Sequence, residues 1–131
     1  MTTISGWAHV TLSVQDHDRS VGWYGEILGF KPVDTETTPQ WKRTLCLHAD
    51  SGVMLVLHQH FSGEGGAFDP GRTGLDHVAF HVPDREALVA WQDRLAAQGV
   101  SYTPVASAGR GGLVVAFRDP DGIALEFFFR P

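Results

Sequence analysis

Five side chains that can bind a metal ion or accept a proton share one predicted face of the fold, the face that no helix covers. They are His9, His58, His77, His81 and Glu126. A carboxylate on a strand with apolar neighbours is costly to bury unless a partner compensates its charge. Two imidazoles and one carboxylate are a common ligand set for Fe(II), Mn(II), Ni(II) or Zn(II). Three protein ligands leave coordination positions open for substrate, as in catalytic sites.

The predicted face of each side chain follows from the alternation of residues along a strand. Leu125 and Phe127 must pack against a helix, so Glu126 between them points to the other side. Leu55 and Leu57 likewise direct His58 away from the core. The same rule applies to the other three histidines.

An internal repeat explains why these residues come in related positions. The segment GWAHVTLSVQD near the start matches GLDHVAFHVPD in the second half, which makes His9 equivalent to His77. Further along, SGVMLVLH matches DGIALEFF, which makes Val56 equivalent to Glu126. Two units related by a pseudo-twofold axis would therefore place His9 and His77 symmetrically.

Each unit is predicted to consist of one strand, one helix and three further strands. Module one, about residues 4–60, has predicted strands at 6–14, 30–37, 41–48 and 53–60. Its helix is expected to be capped by Asp16 or Asp18 and ended by Gly29. Module two, about residues 74–131, has predicted strands at 74–82, near 100–107, 112–118 and 122–129, and a helix at 84–98. A glycine-rich linker, about 61–73, separates the modules.

Composition restricts the possible partners. The chain has 131 residues, with 43% hydrophobic and 19% charged residues, as in an ordinary globular domain. Its net charge of −5 and the lack of a basic stripe argue against nucleic acid as a partner. Cys46 is the only cysteine and no long apolar run or signal peptide is visible, so we expect a cytoplasmic protein with no membrane partner.

Four segments together resemble the vicinal oxygen chelate superfamily, which includes glyoxalase I, fosfomycin-resistance, bleomycin-resistance and extradiol dioxygenase proteins. The segments are AHVTLSV, SVGWYGEILGF, GLDHVAFHV and RDPDGIALEFFF. The resemblance covers nearly the whole chain. It implies an α+β fold in which two tandem βαβββ modules form a curved mixed sheet around a metal-binding cup.

The resemblance also implies a ligand set. Carried over by position, the metal ligands are His9 on the first strand, His77 on the fifth and Glu126 on the eighth. The fourth-strand ligand position falls on Val56, which cannot bind a metal. This departure counts against glyoxalase I and leaves the pattern of two histidines and one glutamate found in extradiol dioxygenases and fosfomycin transferases.

The sequence therefore predicts a divalent-metal-dependent enzyme acting on a small molecule with vicinal oxygens. One ion of Fe(II), Mn, Ni or Zn would act as a Lewis acid in a dioxygenase, lyase, isomerase or transferase reaction. His58 and His81 are the candidate catalytic residues, as a base or as substrate contacts. A homodimer is expected, and we expect the site to be shared, with His9 of one chain joining His77 and Glu126 of the other.

Two alternatives belong to other functional classes. One is a non-catalytic dimer that binds a drug or another small molecule, as bleomycin-resistance proteins do. The other is a structural or regulatory dimer with a vestigial site. Trp41 and Tyr102 are further candidates for substrate contacts, although ordinary strand positions account for them equally well.

Overall fold

The repeat predicted from the sequence appears as two separate four-stranded sheets. The computed structural model describes residues 2–131. These divide into two compact units, one extending to Gly66 and the other beginning at Ala67. We call them module one and module two and describe each by itself. In the described part of the chain, no helix has the length and apolar character required of a membrane span.

Module one has a mixed sheet in which the first and last strands are parallel neighbours. Its elements are β1 (Val10–Ser13), α1 (His17–Trp23), a π-helical turn (Tyr24–Leu28), β2 (Phe30–Thr37), β3 (Trp41–His48) and β4 (Met54–His60). The strand order is β1-β4-β3-β2, with β1 parallel to β4 and the other pairs antiparallel.

The local sequence accounts for the ends of the helical segment in module one. The side chain of Asp16 accepts a hydrogen bond from the backbone N–H of Arg19 at 3.0 Å and so caps α1. Gly29 ends the π-helical turn with φ of 82°, a left-handed conformation that glycine adopts without steric cost. Leu12, Leu55 and Leu57 are almost fully buried in the core of this module.

Module two repeats the same order with a longer helix. Its elements are β5 (Val78–His81), α2 (Arg85–Ala97), β6 (Tyr102–Gly109), β7 (Gly112–Arg118) and β8 (Ala124–Phe129). The strand order is β5-β8-β7-β6, and β5 runs parallel to β8. Asp84 caps α2 by accepting from the backbone N–H of Ala87 at 2.7 Å.

The buried side of module two lies between α2 and the sheet. Trp91 on α2 stacks on Phe127 of β8, with ring centroids 4.3 Å apart. Leu88, Leu95 and Leu125 are at most 1% exposed. The predicted alternation is confirmed, since Leu125 and Phe127 are buried while Glu126 between them is only half-buried.

The first strand of each module is shorter than predicted, and this changes the setting of two histidines. The expected strands 6–14 and 74–82 are observed only as Val10–Ser13 and Val78–His81. Their parallel partners begin at Met54 and Ala124, because turns at Gly52 and Gly122 precede them. His9 and His77 therefore lie immediately before a strand.

The same turn corrects a prediction about the core. In the predicted strand 53–60, Val53 alternates with the same face as Leu55 and Leu57, which predicts that it packs in the core, but it is 41% exposed. It follows Gly52, whose φ is 74°, and precedes the first paired residue of β4. The fold class itself is confirmed, because both modules are mixed sheets with the predicted βαβββ order.

Candidate metal centre

His77 and Glu126 face each other on the helix-free side of the module two sheet. Nε2 of His77 lies 3.4 Å from Oε1 of Glu126. In the parallel pairing of β5 with β8, Ala79 is aligned with Glu126. His77 comes two residues before Ala79 and therefore lies on the same face. Such diagonal neighbours are within reach of long side chains. The two side chains are 44% and 21% exposed, so the pair is open to a ligand.

Asp76 engages the other nitrogen of the His77 ring. Its Oδ1 atom lies 2.7 Å from Nδ1 of His77. This hydrogen bond raises the pKa of His77 above its usual value, partial burial opposes the change, and the charge of Glu126 adds to it. The ring is thus held between two carboxylates, one on each nitrogen.

Small residues surround Glu126 and leave space above the sheet. Ala79 and Ala116 are its cross-strand neighbours on the two sides, and Thr103 is aligned with Ala116. Ala116, Thr103 and Glu126 line a depression of about 680 Å³ in module two. Its polar lining residues are Asp76, His77, Ser101, Tyr102, Thr103, Arg118 and Glu126.

The remaining predicted ligand, His9, belongs to module one. It is exposed and directly precedes β1. Among residues 2–131, no group of three or more histidine, cysteine or acidic side chains is placed to hold a metal ion. Of the predicted triad, the structure therefore brings together the pair His77 and Glu126.

His58 lies in an aromatic cluster on β3 and β4 of module one. Its ring stacks on His60 at a centroid distance of 4.2 Å and lies 5.1 Å from the Trp41 ring. Its Nε2 atom is buried and has no hydrogen-bond partner among the described residues. Burial lowers the pKa of His58, and the positive charges of His60 and Arg43 contribute to the shift.

His81, the second predicted catalytic residue, is exposed at the end of β5, where it is aligned with Phe128 of β8. It therefore lies on the strand that follows His77.

Residues 6–127 match the model of the Glyoxalase/Bleomycin resistance protein/Dioxygenase superfamily.

The chain belongs to this superfamily. The group is the vicinal oxygen chelate superfamily that the sequence resembles. The matched range includes all five residues singled out for chemistry.

Relatives within the superfamily carry two different enzyme names. A protein of Haemophilus influenzae named lactoylglutathione lyase is 31% identical over 123 residues, covering 91% of this chain and 88% of the relative. A protein of Bacillus sp. strain MD1 named trivalent organoarsenical cleaving enzyme is 27% identical, covering 94% and 72%. The chain is thus similar to proteins that are named for two different reactions.

Solved structures of the superfamily share the fold. A glyoxylase/bleomycin resistance protein/dioxygenase domain from Frankia sp. EAN1pec is 36% identical, with a TM-score of 0.90 over 98% of this chain and all of that one. The fosfomycin resistance protein FosX from Listeria monocytogenes, solved with Mn(II) and a sulfate ion, is 20% identical. Its TM-score is 0.71 over 98% of this chain and 95% of that one, which establishes a common fold.

Asp76 is the site residue that sequence reasoning missed. The signal was present in the repeat, because GWAHV and GLDHV differ directly before the histidine, where Ala8 is replaced by Asp76. Only the second copy of the repeat thus carries a carboxylate directly before the candidate ligand.

Proposed function

We propose that this protein is a divalent-metal-dependent enzyme that acts on a small molecule with two neighbouring oxygen atoms. The observation that carries the proposal is the 3.4 Å approach of His77 Nε2 to Glu126 Oε1 in the depression of module two. His9, the repeat equivalent of His77, is the proposed third ligand. The protein is proposed to act as a homodimer.

The donor set fits a divalent ion. Imidazole nitrogen and carboxylate oxygen bind Zn(II) at about 2.0–2.2 Å, and two such ligands on one ion lie roughly 3–3.5 Å apart. The His77–Glu126 separation falls within this range. Fe(II), Mn(II) and Ni(II) accept the same ligand types, so the donors select the class of ion and leave its identity open.

The residues around the pair are suited to hold a small substrate. A bound ion of this kind supplies Lewis-acid stabilisation of negative charge on substrate oxygens. Ala116, which is aligned with Glu126 and lines the depression, has a small side chain that leaves room for the substrate. Tyr102, Thr103 and Arg118 are among the depression's lining residues, which include two hydroxyl-bearing side chains and one positive charge. These groups are proposed to orient polar atoms of the substrate.

His58 and His81 are proposed to contact substrate or to accept a proton from it. Burial lowers the pKa of His58 and so favours the neutral imidazole, which is the form that accepts a proton. His81 is exposed on the strand that follows His77.

The reaction class is proposed on chemical grounds. Val56 in place of a fourth ligand favours a three-ligand site over the four-ligand site that the resemblance implies for glyoxalase I. The relatives named as lyases support lyase or isomerase chemistry, while the ligand set also suits dioxygenase or transferase reactions. The proposal therefore covers the reactions that stabilise negative charge on two vicinal oxygens.

Metal analysis of protein purified without chelator tests the proposal. We expect about one divalent ion per chain in the wild type and its loss in His77→Ala and in Glu126→Ala, because removing a ligand leaves too few donors to compete with water. His48→Ala and Glu86→Ala are matched controls that remove a histidine and a glutamate elsewhere in the chain. Circular dichroism checks that each variant is folded.

Wild-type metal content in both ligand variants would contradict the proposal. Tight binding of a small molecule without any metal would favour a non-catalytic binding protein instead.

A further inference from the structure

The contact between Asp76 and His77 determines which nitrogen of the imidazole is available to a ligand. Oδ1 of Asp76 lies 2.7 Å from Nδ1 of His77. An ionised carboxylate only accepts hydrogen bonds, so Nδ1 must donate in this contact. In the neutral ring Nε2 then keeps its lone pair, and this is the atom that faces Glu126.

We propose that Asp76 is a positioning residue that holds His77 in the tautomer and orientation required to bind a divalent metal ion through Nε2. The inference rests on the proposed metal site of module two. A carboxylate on the second nitrogen of a ligating imidazole fixes the ring and increases its basicity. Loss of such a partner typically weakens metal binding about 10–100-fold.

A role in folding alone does not account for Asp76. Its side chain is 73% exposed, and exposed ion pairs contribute little to stability. The repeat supports the same conclusion, because Ala8 occupies the equivalent position before His9 and module one still forms the same strand and sheet. The backbone at this point therefore does not require a carboxylate.

Variants of Asp76 separate its charge from its hydrogen bond. Asp76→Ala removes both, whereas Asp76→Asn keeps an oxygen acceptor without the charge. Asp93→Asn, on the exposed surface of α2, is a matched control that removes one negative charge from the same module. Glu126→Ala tests the proposed metal site itself.

Two measurements test the inference, made at a pH where the ¹⁵N shifts of the His77 ring show that it is neutral. The first is titration with Mn(II), followed by the electron paramagnetic resonance signal of the free ion. The second is the ¹⁵N chemical shifts of the His77 ring in metal-free protein. We expect Asp76→Ala to weaken Mn(II) binding about tenfold or more and to move the hydrogen toward Nε2. Asp76→Asn should be intermediate, and Asp93→Asn should match the wild type.

Equal Mn(II) affinity in Asp76→Ala and in the wild type would overturn the inference, whichever tautomer the ¹⁵N shifts of His77 show. Weaker Mn(II) binding in Asp76→Ala with an unchanged His77 tautomer would also overturn the inference. The negative charge of Asp76 alone would then account for the loss of affinity. If Glu126→Ala loses Mn(II) while Asp76→Ala keeps it, the proposed function stands and the role of Asp76 falls. If both variants bind like the wild type, the proposed metal site itself is wrong.

Discussion

Val56 and Glu126 occupy the same position in the two modules, the third residue of β4 and of β8. In module one Val56 is aligned with Thr11 on β1, and in module two Glu126 is aligned with Ala79 on β5. The strand pairing around the two residues is thus equivalent. One copy of the repeat carries a carboxylate at this point and the other carries an apolar side chain.

This equivalence predicts the effect of a carboxylate in module one. If the modules contribute symmetric positions to one site, Val56→Glu adds a fourth ligand and should tighten metal binding on the order of tenfold, about 1.4 kcal/mol. It should also slow any reaction that uses the open coordination position. Val56→Gln is the control, because glutamine has the size of glutamate without its negative charge. Unchanged affinity in a folded Val56→Glu protein would show that the two strands are not symmetric about the metal.

The buried nitrogen of His58 predicts a stabilising substitution. His58→Phe replaces a ring whose Nε2 has no partner among the described residues with the phenyl group found at the repeat-equivalent Phe128. Removing an unsatisfied buried polar atom should increase the free energy of unfolding by about 1 kcal/mol. Chemical denaturation measures this, with His60→Phe on the same strand as control. Metal content should be unchanged, since His58 is not a proposed ligand.

The same residue predicts a pH dependence. Because the pKa of His58 is lowered in the folded state, the unfolded chain binds more protons as the pH falls below the ordinary value near 6.5. The stability of the wild type should therefore fall through this range relative to His58→Phe, and the difference should level off once the folded-state imidazole is also protonated. Unfolding curves between neutral and mildly acidic pH test this. A constant difference between the two proteins would contradict the prediction.

The sequence alone predicts the bounds of those strands whose residues alternate clearly and whose ends are marked by turns. The predicted bounds of β2, β3 and β7 agree with the structure, since each strand is bordered by clear turn residues. The first strand of each module was overestimated, because its length depends on where a distant partner strand begins. Periodicity carries no such information.

The sequence predicted which strand positions carry the site residues, but it could not predict the contacts between their side chains. Alternation places Glu126 on the open face, and the repeat singles out His77 as a counterpart of His9. The Asp76–His77 hydrogen bond depends on side-chain rotamers of consecutive residues, which strand alternation assigns to opposite faces. The isolation of the His58 nitrogen likewise depends on how Trp41 and His60 pack around it.

Cys46 is predicted to be unreactive in the folded protein. It is fully buried, and burial raises the pKa of its thiol to about 11. The thiolate that attacks disulfide reagents is therefore scarce at neutral pH. Labelling with an aromatic disulfide should be slow in buffer and complete in guanidinium chloride. Fast labelling of native protein would show that β3 opens readily.

The proposed sharing of the metal site between two chains predicts complementation. His9→Ala and Glu126→Ala chains are mixed, unfolded and refolded together. In a twofold dimer with shared sites, random pairing makes about half the dimers mixed, and each of these has one intact site. About a quarter of wild-type metal content should then return. Mass spectrometry confirms that mixed dimers are present. No recovery in their presence would place all ligands of each site in one chain.

The proposed function requires that His77 and Glu126 bind the same divalent ion. Anomalous diffraction from crystals grown with Zn(II), collected on both sides of the zinc absorption edge, tests this requirement. We expect one strong peak about 2.0–2.2 Å from Nε2 of His77 and from a carboxylate oxygen of Glu126, with a nitrogen of His9 as the third protein ligand. Zinc peaks that all lie elsewhere, with none in contact with both His77 and Glu126, would show that the two residues do not share an ion.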